Sequence, residues 1–229
     1  MGNKQKTYAI LLALLASFST LSLADDDVHY SVGAKLWKEK LTLSDLHATE
    51  SANISQPILS FGVRKGAWFG SLGVIPNKRH EFNDGTHFND FDKRDIDIFV
   101  GRYVWEGLGI GLNYKDSNIK AVNGSSNLSV LYAAFVFSKQ IKDSSAFVYT
   151  TGAMQVSGSY SDNRGTGGAS LNNGVDNAYQ MEIGLGYRID PKMSFTIGYR
   201  AQALKVGAGT HDGAKEKASG VLAGVAYTF

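Results

Sequence analysis

From Val28 onward the chain alternates. Val28, Tyr30, Val32, Ala34 and Leu36 share one parity, and His29, Ser31, Gly33 and Lys35 share the other. Side chains along a strand point to opposite faces in turn, so a period of two marks a strand with one apolar and one polar face. The pattern recurs in Leu59, Phe61 and Val63, in Trp68, Gly70, Leu72 and Val74, and in Ile96, Ile98, Val100 and Val104. It is cleanest where Leu108, Ile110, Leu112 and Tyr114 oppose Gly109, Gly111, Asn113 and Lys115. Tyr179, Met181, Ile183, Leu185, Tyr187 and Ile189 form an unbroken apolar row, and Phe195, Ile197, Tyr199, Ala201 and Ala203 form the next. The last row is Val221, Ala223, Val225, Tyr227 and Phe229, set against Gly220, Gly224 and Thr228. Segments 128–138 and 146–160 are strand-like but apolar at both parities. Val130, Tyr132 and Val136 oppose Leu131, Phe135 and Phe137, and their facing stays open. Trp37 to Leu43 blurs the alternation, through a bulge or because the strand leaves an apolar environment there.

The count is about ten strands, each close to the roughly 9–11 residues that a tilted membrane-crossing strand needs. Connections alternate in length, with turns near residues 65, 106, 142 and 191 and loops near 50, 85, 122, 169 and 212. Lys65-Gly66 reads as a two-residue turn that sets Val63 against Trp68. Trp105-Glu106-Gly107 and Asp190-Pro191-Lys192 read as three-residue turns. Pro57, Pro76 and Pro191 all fall where a strand begins or ends, where a missing N–H costs least. A soluble β-sandwich has no reason to alternate loop lengths so regularly, or to set a polar, Gly-rich row against its only apolar one. The pattern therefore predicts an all-β fold: a closed antiparallel transmembrane β-barrel of about ten strands, apolar outside and polar inside. The short turns and both termini then lie on the periplasmic side, with the long loops extracellular.

The final strand carries Gly224, Tyr227 and a terminal Phe229. This spacing resembles the C-terminal assembly signal of bacterial outer-membrane β-barrels. Leu222 departs from it, because a polar residue is usual at that position. The resemblance covers the last strand alone and points to a porin-like structural class, with no specific family. It implies delivery by periplasmic chaperones, insertion by the barrel-assembly machinery, and contact with outer-membrane lipid and lipopolysaccharide. At the other end, Lys4 and Lys6 precede the apolar stretch Ala9 to Phe18, and Ser22-Leu23-Ala24 offers small residues for cleavage. That predicts a secretory signal over residues 1–24 and a barrel over 25–229. The stretch is shorter than the roughly 20 residues of a membrane helix, and no later run is long enough.

The leader holds two of the 23 basic residues and none of the 21 acidic ones, so residues 25–229 carry 21 of each. A chain without net charge offers no electrostatic case for binding nucleic acid. With no cysteine, disulfides and thiolate metal sites are excluded. No cofactor is expected, and nothing in the sequence reports an oligomeric state.

Counting back from the turns sets Glu182 opposite Arg200, Gln180 opposite Gln202, and Asp97 opposite Lys115, all on the inward rows with Asp95. Charges in a narrow lumen tolerate desolvation only when paired. These residues are expected to fill and rigidify the barrel, or to form a fixed-charge constriction that selects a small solute. Ten strands lies just above the size that side chains fill completely.

Two further constellations stand out. The segment Asn77 to Arg94 carries His80, Asp84, His87, Asp90 and Asp92 among Phe82, Phe88 and Phe91. No spacing matches a metal-ligand motif, so it reads as a solvated surface loop. Asp95 and Asp97, with His211 and Asp212, loosely resemble the Asp pair and His–Asp pair of the omptin family of outer-membrane proteases, which are also ten-stranded barrels. Here the His and Asp are adjacent rather than one residue apart, and the chain is shorter. The expectation is a non-enzymatic barrel of a Gram-negative outer membrane, either a small solute channel or a structural, surface-interaction protein. An omptin-like protease with its site at the extracellular rim is the alternative.

Overall fold

In a computed structural model of the protein, residues 27–44, 48–82, 90–122, 124–163, 171–207 and 214–229 are described. The signal segment 1–24 lies outside them. Ten strands follow one another: β1 (Val28–Ser44), β2 (Thr49–Lys65), β3 (Trp68–His80), β4 (Phe91–Trp105), β5 (Leu108–Ala121), β6 (Gly124–Gln140), β7 (Ala146–Asp162), β8 (Leu171–Arg188), β9 (Met193–Val206) and β10 (Lys215–Thr228). Each pairs antiparallel with its chain neighbours, and β10 returns to β1 to close the barrel. At the seam Tyr30 and Phe229 exchange backbone hydrogen bonds of 3.0 and 2.9 Å, and their rings stack at 5.9 Å.

The alternation is realised as expected in the half of the barrel nearer the short turns. Leu36, Leu185 and Ile197 are each more than half exposed on the outside, as are Ile183 and Tyr187. A continuous exposed apolar belt suits hydrocarbon and nothing else. Arg102 interrupts this belt beside a turn, where its guanidinium lies 5.7 Å from the ring of Trp68, its cross-strand partner. The two ambiguous strands resolve. Phe135 and Met154 face outward, whereas Val130 and Tyr132 are buried inside. Tyr149 also points in, over Gly184 and Gly198, where a Cβ would come within 2.7 Å of its ring and 2.6 Å of its hydroxyl. Phe147 covers Gly186 and Phe69 covers Gly109 in the same way. The inward glycines are thus seats for aromatic rings.

The strands run 13 to 18 residues, longer than membrane crossing requires. The excess lies at the long-loop end, and there the polarity inverts. On β1, Lys38, Lys40 and Thr42 turn outward while Trp37 and Leu41 are fully buried inside. The strand continues through this point without a bulge in its pairing to β2 or β10. Much of the segments 44–56, 116–127 and 161–177, both ends of 77–94 and the end of 207–217, all read as loops, is therefore strand. The β5–β6 connection shrinks to residues 122–123, so it is no longer than a turn. An aqueous outside and a packed inside produce the opposite pattern from a lipid outside, and the mixture of the two mimics a loop.

The first hairpin turns at Gly66-Ala67, with Gly66 at φ +56°, so Val63 faces Gly70 and not Trp68. Parity, and hence facing, is unchanged. The ladder between β2 and β3 stops at Leu59–Val74. Continued by two residues it would set Pro57 against Pro76, and neither can donate. Beyond them β2 is held only by β1, and β3 only by β4 across a bulge after Ile75, among the described residues. The β7–β8 ladder also breaks after Met154–Tyr179 but resumes at Ser159–Gly174, with Gln155 Nε2 donating to the Val175 carbonyl at 2.5 Å between.

If the exposed belt meets lipid, Leu185→Lys should cost about 2–4 kcal/mol, the penalty for a lysine near the bilayer midplane. Urea titration in phosphatidylcholine vesicles measures it. A loss under about 1 kcal/mol would mean that Leu185 does not face hydrocarbon.

Candidate functional site

The lumen is where the chain places its buried charge. Asp97 on β4 lies opposite Lys115 on β5, and Glu182 on β8 lies opposite Arg200 on β9, the register counted from the turns. The contacts that form are different. Lys115 Nζ reaches diagonally to Asp95 Oδ2 at 2.7 Å and stands 3.7 Å from Asp97. Asp97 in turn is 3.6 Å from Arg200 Nη2, across the lumen. Glu182 pairs not with Arg200 but with Lys35 of β1, again across the lumen. Long side chains on tilted strands reach diagonal and transluminal partners as easily as the one directly opposite.

Glutamines complete the network. Arg200 donates to Gln180 Oε1 at 3.2 Å, and Lys115 donates to Gln202 Oε1 at 3.4 Å. Lys115, Asp95, Glu182 and Gln202 are buried. A second tier lies nearer the long loops, where Lys93 pairs with Glu216 and Gln56 donates to Glu39. Arg200 also rests 5.2 Å from the ring of Trp37, and Lys35 rests 5.5 Å from that of Tyr149. Each cation therefore has a carboxylate partner, as low-dielectric burial demands.

Apolar residues pack among and around the network. Trp37, Leu41, Ile75, Phe91, Ile119 and Leu222 form one buried cluster, contributed by β1, β3, β4, β5 and β10. Leu128, Val130, Tyr132, Tyr160, Val175 and Val206 form a second on β6 to β9. Leu222, the departure from the assembly signal, is an inward residue with no exposure. Gly224 is also inward, where a Cβ would come 2.5 Å from Lys35 Cγ. Tyr227 and Phe229 are exposed on the outside at the short-turn rim. Below the network a cavity of about 220 Å³ remains, lined by Ser71, Phe99, Asn113, Thr151, Glu182 and Arg200 among others. That is room for a handful of waters.

Sequence spacing missed Lys93 and Glu216, which fell in presumed loops, and gave no partner to Lys35. A signal was present: Lys93 shares the parity of Asp95 and Asp97, and Glu216 shares that of Gly220 and Gly224. Asp95 and Asp97 do not sit at the extracellular rim as a protease site requires. They are engaged inside the lumen by Lys115 and Arg200. His211 and Asp212 lie outside the described residues, as do Asp84, His87 and Phe88. His80 is buried and stacked on Phe91 at 5.1 Å. Asp90 accepts from Arg79 at 3.3 Å and from the Phe82 N–H at 3.2 Å. No group of three potential metal ligands converges among the described residues.

The network makes a stability prediction. Lys115→Met leaves Asp95 buried without its closest cation and should cost about 3–5 kcal/mol. Adding Asp95→Leu should return most of that loss. Urea midpoints followed by tryptophan fluorescence measure both, and additive losses would mean that the pair is not coupled.

No protein-family model and no curated protein matches the chain. Solved structures do. The outer membrane protease OmpT from Escherichia coli superposes with a TM-score of 0.55 at 12% identity, over 92% of this chain and 99% of that one. Neisserial surface protein A gives 0.47 at 14% identity, over 87% and 97%. The translocator domain of the autotransporter NalP from Neisseria meningitidis gives 0.46 at 10% identity, over 99% and 96%. At such identity the likeness to OmpT carries the fold and not the activity. With the exposed apolar belt, it makes this chain an integral β-barrel of the outer membrane.

Proposed function

We propose that the protein is a closed outer-membrane barrel that works through its extracellular surface rather than through a pore. The observation that carries this reading is the stacked closure of the lumen. Asp97 of β4 meets Arg200 of β9 across the axis, Lys35 of β1 meets Glu182 of β8, and among and beyond these charges Trp37, Leu41, Val130 and Leu222 are essentially without exposure. An ion entering from the periplasmic side would have to break buried ion pairs packed among apolar side chains. The reading is non-enzymatic, since the only paired aspartates read as catalytic candidates are spent on luminal cations. Lipopolysaccharide and outer-membrane lipid are the neighbours of the outer wall, where Lys38, Lys40, Lys215 and Lys217 are exposed just beyond the apolar belt. The assembly machinery and periplasmic chaperones act on the chain through Gly224, Tyr227 and Phe229.

A narrow solute channel is the second reading, and the cavity of about 220 Å³ beneath the network is what favours it. Planar-bilayer recording of the refolded protein separates the two. A closed barrel gives no reproducible unitary steps, and Glu182→Gln leaves the record silent. Ion-selective steps that change with Glu182→Gln would establish a channel and overturn the closed reading.

A further inference from the structure

The wall of the barrel is incomplete on its extracellular side. Above Leu59 and Val74, β2 and β3 continue as strands but do not pair with each other. The facing positions of Pro57 and Pro76 explain where the split begins, because two residues without an N–H cannot carry a ladder past that point. Pro57 pairs on its other side with Leu36, the last apolar outward residue of β1. The split therefore opens where the outer wall changes from apolar to charged, in water rather than in lipid. There an unpaired edge is tolerated.

The space between the two edges is a cleft of about 480 Å³, lined by Asn53, Ile54 and Ser55 of β2 and by Lys78, Arg79 and Glu81 of β3 and its continuation. Each edge offers a row of backbone donors and acceptors directed at the other. β2 is backed by an unbroken ladder to β1, and β3 by β4 on either side of the bulge after Ile75. The side chains also alternate. Asn53 and Ser55 are exposed outward, and Ile54 and the buried Ile75 turn toward the lumen. Beyond the bulge the exposed Lys78 lies opposite Lys93, on the lumen-side parity, and Arg79 lies opposite Asp92, on the outward one.

Resting on the surface-function reading above, we propose that this cleft binds an extended polypeptide segment of a partner protein, which adds as a strand between β2 and β3. Main-chain hydrogen bonds to both edges supply affinity. Selectivity follows from the alternation: apolar side chains on one face of the segment meet Ile54 and Ile75, that row ends at the exposed ammonium of Lys78, which takes a carboxylate there, and polar side chains on the other face meet Asn53 and Ser55. Arg79 contributes less charge, because Asp90 lies 3.3 Å and Glu81 3.8 Å from it.

The test uses the full folded chain in detergent micelles and a fluorescent peptide of about six residues, valine alternating with serine and a glutamate at one end, a length matched to the free stretch of β3 above Val74. Anisotropy should report saturable binding. Methylating alternate backbone nitrogens of the peptide should weaken it about tenfold or more, by removing donors from one edge. Lys78→Glu should weaken the glutamate peptide and strengthen a lysine counterpart. The chain has no native cysteine, so Ser55→Cys carrying a bulky maleimide should block binding, while the same adduct at Lys120→Cys should not. A heat-modifiable gel shift confirms that each variant is folded. Absence of saturable binding at millimolar peptide, or binding within twofold after N-methylation, would overturn the proposal. The two readings fail separately: a barrel that binds the peptide yet conducts ions loses only the closed-lumen reading, and a silent barrel that ignores the peptide loses only this one.

Discussion

Hydrocarbon cannot hydrogen-bond, and that constraint organises the molecule. A strand in the membrane must give every N–H and C=O to a neighbour, so the sheet has to close. Each strand is laddered to both of its neighbours, and β10 meets β1 through Phe229. Once the wall rises out of lipid the requirement lapses. It is in that upper part that the ladder between β2 and β3 opens, where two prolines would face each other. The same boundary inverts the side chains, with Leu36 outside giving way to Lys38 and polar Lys35 inside giving way to Trp37.

The inversion also explains how the lumen is filled. A barrel of this width leaves space that small inward residues alone do not occupy. The lower interior uses aromatic rings folded over glycines, Tyr149 on Gly184 and Gly198, and Phe147 on Gly186. Higher up, salt bridges between distant strands interleave with apolar clusters. The buried charges are tied to partners on distant strands, as Lys35 is to Glu182, so they fix the relative positions of walls that share no ladder. Such pairs contribute less to net stability than to a unique arrangement.

Much of this was legible in the sequence because lipid imposes a strict period of two. Strand identity, facing and even the cross-strand register that sets Asp97 opposite Lys115 and Glu182 opposite Arg200 follow from parity and turn length. Parity failed where the environment changed. The charged outward positions of β3, β4 and β10 above the membrane resemble loop composition, which concealed Lys93 and Glu216. Turn chemistry left the first hairpin two residues out of register without disturbing its faces. Which charge touches which was not legible, because a cross-lumen contact depends on barrel curvature and not on distance along the chain. The Pro57–Pro76 opposition was available only once the register of that hairpin was known.

The central claim is the sidedness of the wall, and the chain's lack of cysteine makes it directly measurable. Single nitroxide labels placed in turn from Ser194 to Arg200 on β9, in vesicles, report collision with lipid-soluble oxygen and with a water-soluble nickel chelate. The account predicts oxygen accessibility that is high at Phe195, Ile197 and Tyr199 and low at Ser194, Thr196, Gly198 and Arg200. Equal accessibility at both parities, or oxygen collisions strongest at Thr196 and Arg200, would contradict it.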